Sequence, residues 1–143
     1  MRTISTTDLA HRLRPVVTRL ARRMRQVGAE LSPTQGAALA TIDCHGPLTP
    51  SELAARERIQ RPTATRVLAR LEEASLVERT PDPSDRRSSL VSSTADGRAL
   101  LAAIRDRKDL YLAQRLDRLS PEDLAALDRA AGILERMLEE DGE

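Results

Sequence analysis

The chain has 143 residues, of which 40% are hydrophobic, and its formal net charge is +1. This length suits one compact domain or a helical protomer that shares its core with a partner. Because the net charge is near zero, overall charge alone does not indicate binding to nucleic acid. Phe and Trp are absent and Tyr111 is the only aromatic residue. A core of Leu, Ala, Val, Ile and Met therefore favours packed helices over a β-sandwich.

Charge is distributed unevenly along the chain. Residues 1–25 hold seven arginines and one acid, residues 54–71 hold five arginines and one Glu, and residues 120–143 hold eight acids and two arginines. This asymmetry predicts a local basic face with an acidic end elsewhere. The alternative is that these segments are only solvated helix faces.

Targeting, redox and metal signals are weak. The sequence has no basic-then-apolar leader and no apolar run of about 20 residues, so we expect a soluble, cytoplasmic protein without a membrane partner. The single cysteine, Cys44, forms no internal disulfide, and we expect a small packed side chain, with a redox-sensing thiol as the alternative. The two histidines, His11 and His45, add no third ligand at a zinc-binding spacing. We predict no metal, no cofactor and no enzyme activity.

Helix starts are marked by a repeated pattern. A hydroxyl residue, a proline and then an acid or amide occur at 32–35, 49–52 and 120–123. This pattern supplies an N-cap and a proline in the first turn, so it predicts helices beginning near residues 33, 50 and 121. Apolar residues spaced by three and four from Leu9 to Leu31 predict an earlier amphipathic helix over residues 8 to about 29. Pro15 within it predicts a bend or a broken first turn.

The middle of the chain has a helix-turn-helix rhythm. Residues 51–58 predict one short helix, residues 59–61 a turn, and Pro62 the start of another helix whose Val67, Leu68 and Leu71 face inward. Strand-like runs at 76–80 and 90–93 flank TPDPSDRRSS (80–89), which is predicted to be a hairpin tip.

A long helix is predicted after the hairpin. It begins at the cap Thr94-Ala95-Asp96-Gly97, and its apolar positions continue to Ser120, a length of about 35 Å. A small domain cannot cover such a helix alone. We therefore expect a second copy of the chain to cover it.

The hairpin tip carries the first group of predicted DNA contacts. A helix-turn-helix followed by a charged hairpin is a winged helix, and its tip needs a guanidinium that reaches phosphates or the minor groove. We assign Arg86 and Arg87 to this task, with Arg87 as the groove-inserting side chain, and expect Asp85 to pair with one of them. The alternative is a solvated loop with an incidental ion pair.

The helix beginning at Pro62 carries the second group. Its predicted DNA-binding residues are Arg61, Pro62, Thr63, Thr65, Arg66 and Arg70. Arg66 suits a bidentate contact to guanine, Thr63 and Thr65 suit phosphate or a thymine methyl, and Arg61 and Arg70 suit phosphates. The alternative is an amphipathic helix whose polar face meets only solvent.

These motifs, taken in order, resemble those of the multiple-antibiotic-resistance regulator (MarR) family. The segment LTPSELAARERIQRPTATRVLARLEEASLVERTPDPSDRRSSLVSSTADG (48–97) resembles the family's DNA-binding core, and the preceding LSPTQGAAL resembles its second helix. Ser93 stands where the family usually has leucine.

The resemblance implies a fold and a function. The expected fold is mainly α with a small β-hairpin wing: one domain over residues 1–143, with a winged helix-turn-helix lobe at 33–97 and dimerisation helices at 1–31 and 98–143. The implied protein is a homodimeric regulator, usually a repressor, that binds a pseudo-palindromic double-stranded operator and is released by a small anionic or aromatic ligand. His11, Arg14, Thr18 or Arg19 are candidates to line the ligand pocket. A helical protein-interaction adaptor, or a redox-sensing regulator that uses Cys44, is the alternative.

Overall fold

Six helices and one two-stranded antiparallel sheet make up residues 3–142, the part of the chain that the structure, a computed structural model, describes. The elements are α1 (Thr6–Val27), α2 (Pro33–His45), α3 (Pro50–Glu57), α4 (Arg61–Glu73), β1 (Val77–Asp82), β2 (Asp85–Ser93), α5 (Ala95–Leu116) and α6 (Pro121–Glu140). This confirms the predicted fold class. Met1, Arg2 and Glu143, which belong to the predicted terminal segments, lie outside the described residues. The helices of the described part are all too short or too polar to cross a membrane.

The three predicted helix starts are confirmed by side-chain caps. The hydroxyls of Ser32, Thr49 and Ser120 each accept a hydrogen bond from the backbone N–H three residues ahead. Gln35 also accepts a hydrogen bond from the N–H of Ser32, which completes a capping box. These bonds satisfy amides that no helical carbonyl can reach, so they determine where α2, α3 and α6 begin.

Helix α1 is continuous through Pro15, so the predicted broken turn is wrong. Proline removes one N–H donor from a helix of 22 residues, and His11, whose carbonyl loses that donor, is exposed to water. The helix also begins at Thr6 rather than near residue 8, because the hydroxyl of Ser5 accepts a hydrogen bond from the N–H of Asp8. It is followed by the buried Gly28, where an added Cβ would lie 2.7 Å from Ile104.

The core of the winged helix-turn-helix joins α2, α3, α4 and the hairpin. Six large side chains are almost completely buried there: Leu39, Ile42, Leu53, Leu68, Leu71 and Val91. Val67 is also buried, so the predicted inward face of α4 is confirmed. Because each such leucine contributes about 1.5–3 kcal/mol when buried, this packing fixes which face of α4 remains outside.

Both strands of the hairpin are longer than predicted. Val77 pairs with Ser93 and Thr80 pairs with Leu90, and the strands continue to Asp82 and from Asp85. The turn is therefore only Pro83 and Ser84, and the prediction that all of residues 80–89 form the tip is wrong. A two-stranded sheet has two outer edges, where the missing N–H of proline is tolerated, so Pro81 does not end β1.

The base of the hairpin is tied to the helices. Leu48, just before α3, exchanges two backbone hydrogen bonds with Val91, of 3.0 and 2.7 Å. The hydroxyl of Ser93 donates to Oδ1 of Asp43 at 2.9 Å. The hydroxyl of Thr94 donates to the carbonyl of Ser75 at 2.6 Å and accepts from the N–H of Gly97. The polar Ser93 thus has a partner on α2.

The described residues divide into two compact units, one ending at Lys108 and one beginning at Asp109. Helix α5 ends at Leu116 and not at the cap Ser120, because residues 117–119 form a turn and bend. The second unit holds the end of α5 and all of α6. Four apolar residues of α6 (Leu124, Leu127, Leu134 and Met137) are between 38% and 54% exposed.

Candidate nucleic-acid interface

Helix α4 has a buried apolar face and an exposed polar face. Ala64, Val67, Leu68 and Leu71 pack into the core. The predicted DNA-binding residues Arg61, Pro62, Thr65, Arg66 and Arg70 are all exposed on the remaining surface. A helix with this division can enter a major groove without disturbing its own packing.

The first turn of α4 lacks a side-chain cap. The preceding residue, Gln60, makes no cap hydrogen bond, and Pro62 occupies the first turn. The hydroxyl of Thr65 donates to the carbonyl of Arg61 at 3.0 Å, which orients the Thr65 side chain along the helix. The amides of an uncapped first turn lie at the positive end of the helix dipole, which is a favourable environment for an anion such as phosphate.

Thr63 differs from its neighbours because it is half-buried. It lines a surface groove between α4 and the first turn of α2, together with Ser32, Thr34, Gln35, Arg66, Val67 and Arg70. The structure thus brings two of the predicted DNA-binding arginines next to the start of α2. Nothing in the sequence indicated that this part of α4 lies beside the first turn of α2.

The three predicted wing residues lie at the start of β2. Asp85, Arg86 and Arg87 are exposed, but they belong to the strand and not to the two-residue turn. The predicted ion pair of Asp85 is wrong: the ion pairs of the described residues join Arg79 to Glu72 and Arg107 to Glu30. Oδ1 of Asp85 instead accepts a hydrogen bond from the backbone N–H of Arg87 at 2.9 Å.

A second aspartate braces the hairpin turn. Oδ1 of Asp82 accepts hydrogen bonds from the N–H and the hydroxyl of Ser84, at 2.9 and 2.8 Å. These bonds favour the charged carboxylate, so they hold the pKa of Asp82 below its ordinary value. Asp82 therefore stabilises the turn, while Asp85 orders the backbone at the start of β2.

Arg79 of β1 was missed by the sequence analysis. Its Nε donates to Oε2 of Glu72 on α4 at 2.6 Å, and its Nη1 donates to Oγ of Ser89 on β2 at 3.3 Å. Opposite charges seven residues apart and on different elements give no periodic signal. Only the fold brings them together.

Comparisons with known proteins agree with this geometry. Residues 31–89 match the model of the MarR family. An HTH-type transcriptional regulator of Mycobacterium bovis is 37% identical over 134 residues, which cover 92% of this chain and 94% of the relative. The multiple antibiotic resistance protein MarR of Salmonella typhimurium is 34% identical over 100 residues, or 69% of each chain. The chain belongs to the MarR family.

A solved structure extends the match to the three-dimensional fold. A transcriptional regulator from Pseudomonas aeruginosa superimposes with a TM-score of 0.82 at 32% identity, covering 94% of this chain and 98% of that one. The MarR-family chain described here is therefore a DNA-binding transcriptional regulator with a winged helix-turn-helix fold. Its relatives are regulators and not enzymes.

Cys44 is exposed, so the predicted packed position is wrong. The buried face of α2 is formed by Ala38, Leu39 and Ile42. Cys44 follows Ile42 by two residues, which is about 200° around a helix, so its side chain lies on the opposite face.

Within residues 3–142, no three His, Cys, Asp or Glu side chains are grouped so that they could hold a metal ion.

A cavity of about 220 Å³ lies where the end of α1, helix α2 and helix α5 meet. Leu31, Ala37, Ala40, Leu101 and Ile104 supply much of its apolar lining, while Arg25, Arg105 and Lys108 supply its cations. The residues suggested by the sequence analysis lie elsewhere: His11 and Arg14 line an open depression near the start of α1, and Arg19 lines another. Sequence reasoning missed this cavity because its residues come from three separate helices.

Proposed function

We propose that this MarR-family regulator is a homodimeric, cytoplasmic repressor that reads a pseudo-palindromic operator and releases it on binding a small anionic or aromatic ligand. One observation carries the proposal for DNA reading. The exposed face of α4, with Arg66 and Arg70, and the hairpin, with Arg86 and Arg87, belong to the same compact unit. A major-groove reader and a second cationic element are thus available together.

The individual roles follow from position. Arg66, in the first half of α4, makes the base contact, for which a guanidinium opposite guanine is well suited. Arg61 and Arg70, at either end of the exposed face, contact phosphates. Thr65, on the same face, contacts phosphate or a thymine methyl. Arg87 enters the minor groove and Arg86 binds the adjacent backbone. Asp85 holds the backbone at Arg87 in place.

Dimerisation is supported by apolar side chains left uncovered on separate helices. Leu9, Leu13, Val16, Val17 and Leu20 of α1 are each at least 39% exposed. A single chain that leaves this stripe of side chains in water does not gain the free energy that their burial would contribute. A second copy would cover the stripe and carry a second α4, so that the two reading helices can meet successive major grooves about 34 Å apart.

The proposed ligand is supported by the cavity beside α2, and the proposed repressor role by membership of the family. Three cations around an apolar space of about 220 Å³ suit a small acid with a hydrocarbon or aromatic body. Members of the MarR family are usually repressors. A ligand between α1, α2 and α5 would alter the position of the reading lobe and so release the operator.

Fluorescence anisotropy with the DNA upstream of the protein's own gene tests the proposal. Binding should weaken steeply with salt, by about 0.9 units of log slope for each phosphate contacted. Salt-independent or absent binding would favour the protein-interaction adaptor. Native mass spectrometry of the same sample should give the mass of two chains, and would reveal any small molecule that co-purifies with them.

A further inference from the structure

Three consecutive elements meet at the guanidinium of Arg79. This side chain leaves β1, bonds Glu72 near the end of α4 at 2.6 Å and reaches Ser89 on β2 at 3.3 Å. Both bonds use different nitrogens of one planar group, so they hold the two strands and the helix in one relative orientation. The site is half-open to solvent, with 32% of the Arg79 side chain and 45% of the Glu72 side chain exposed.

The outer part of the hairpin is only weakly anchored in the core. After the buried Val77, residues 78–81 of β1 are all exposed, and on β2 residues 85–87 are exposed while residues 88–90 are only half-buried. The core therefore fixes the base of the hairpin more firmly than the direction of the strands beyond it. An exposed ion pair is worth only about 0–1 kcal/mol of stability, so its importance lies in orientation.

We propose that Glu72, Arg79 and Ser89 form a positioning cluster, which sets the angle between the hairpin and α4 so that both meet the same duplex. This inference rests on the proposed function, because it requires that Arg87 and the arginines of α4 contact DNA together. Arg79 and Glu72 are positioning residues here and need not touch DNA themselves.

Removing the charge of Glu72 is expected to change DNA affinity in opposite directions under a positioning role and under bulk electrostatics. Glu72 lies on the same helix as the DNA-reading arginines, where its negative charge opposes the approach of phosphates. Removing that charge strengthens DNA binding if electrostatics alone matters. Under our proposal its removal frees the hairpin and weakens binding.

Glu72→Ala and the matched control Glu73→Ala test this directly. Both remove one exposed carboxylate from the end of α4, and alanine is a good helix former, but Glu73 makes no ion pair or side-chain hydrogen bond among the described residues. We expect Glu72→Ala to weaken operator binding about two- to fivefold, and Glu73→Ala to leave binding unchanged or tighter. The melting temperatures of both variants should match that of the unsubstituted protein.

A charge-reversed pair supplies a second test. Glu72→Arg combined with Arg79→Glu rebuilds the ion pair in the opposite direction and should regain affinity relative to either single change. In a background that carries both Arg86→Ala and Arg87→Ala, Glu72→Ala should behave like Glu73→Ala, because the hairpin then has no proposed DNA contact left to lose.

The results separate the positioning role of Glu72 and Arg79 from the proposed DNA binding. If Glu72→Ala tightens binding as Glu73→Ala does, while the unsubstituted protein binds its operator and Arg87→Ala weakens it, the positioning role is overturned and the proposed function stands. If the unsubstituted protein does not bind DNA, both are overturned.

Discussion

The backbone N–H of Arg87 donates a 2.9 Å hydrogen bond to Oδ1 of Asp85. The aspartate thus fixes the main chain of the wing and leaves the guanidinium of Arg87 without a carboxylate partner among the described residues. A guanidinium already paired to a carboxylate would have to break that pair before meeting phosphate. The bond to the backbone avoids this competition.

Asp85→Ala should weaken operator binding by about two- to tenfold, the effect of losing one ordering hydrogen bond, even though it removes a negative charge. Asp85→Asn retains a side-chain oxygen that can accept from the same N–H and should bind as well as the unsubstituted protein or better. Anisotropy titrations at one salt concentration measure the difference. Equal affinities for the two variants would show that the hydrogen bond has no part in binding.

Arg66→Ala should cost about 1–3 kcal/mol on the preferred operator and relax the base preference at one position. The reason is that the proposed bidentate contact to guanine would be lost. Arg70→Ala, four residues later on the same exposed face, serves as the control and should weaken all sequences evenly with a smaller salt slope. Binding measured across a library of operator variants separates these patterns. An unchanged sequence preference in Arg66→Ala would contradict the base-reading role.

Removing the residues after Leu119 should convert the protein into monomers or make it insoluble, because α6 and its exposed apolar residues are lost. Analytical ultracentrifugation measures the mass. Leu134→Glu should act in the same direction in the full-length chain, while Glu135→Gln at the neighbouring position should leave the mass unchanged. A truncated chain that remains a stable dimer would place the dimer contacts outside α6.

Arg58→Gly should raise the free energy of unfolding by about 0.5–1 kcal/mol. Arg58, the residue that follows α3, has φ = 52°, in the left-handed region, where a side chain costs more than glycine's extra freedom in the unfolded chain. Arg56→Gly, inside the same helix, should instead lower it by about 1 kcal/mol. Urea denaturation of both variants measures the two signs. Destabilisation by Arg58→Gly would mean that its side chain makes a stabilising contact.

Glu30 makes stability depend on pH at the acidic end. The hydrogen bond from Arg107 holds the pKa of Glu30 below its ordinary value of 4.5. A carboxylate with a lowered folded-state pKa stabilises the fold above pH 4.5, and this contribution disappears as pH falls through the lowered pKa. Glu30→Gln should therefore flatten the fall in melting temperature below pH 4.5. An unchanged pH profile would show that the pair contributes nothing in solution.

Local signals explain what the sequence predicted well. The caps at Ser32, Thr49 and Ser120 act within four residues, so each helix start could be located from the letters alone. The inward face of α4 followed from helical spacing in the same way. The DNA-contact roles of the residues on its outer face, and of those on the hairpin, remain predictions.

Tertiary relations explain what was missed. The hairpin continues through Pro81 because the sheet has only two strands, and strand number is not visible in a ten-residue window. Cys44 faces water because α2 buries its opposite side. The cavity joins three separate helices, and the contact between Arg79 and Glu72 joins a strand to a helix without any periodic signal.

The paired backbone hydrogen bonds between Leu48 and Val91 join the base of the wing to the segment before α3. Arg87 precedes Val91 by four residues, a reach of roughly 13 Å along an extended strand. A small rotation of the segment before α3 would therefore produce a larger displacement of the Arg87 guanidinium, because displacement grows with distance from the anchored residue. Movement of that segment would thus displace Arg87 further than it displaces the base of the hairpin.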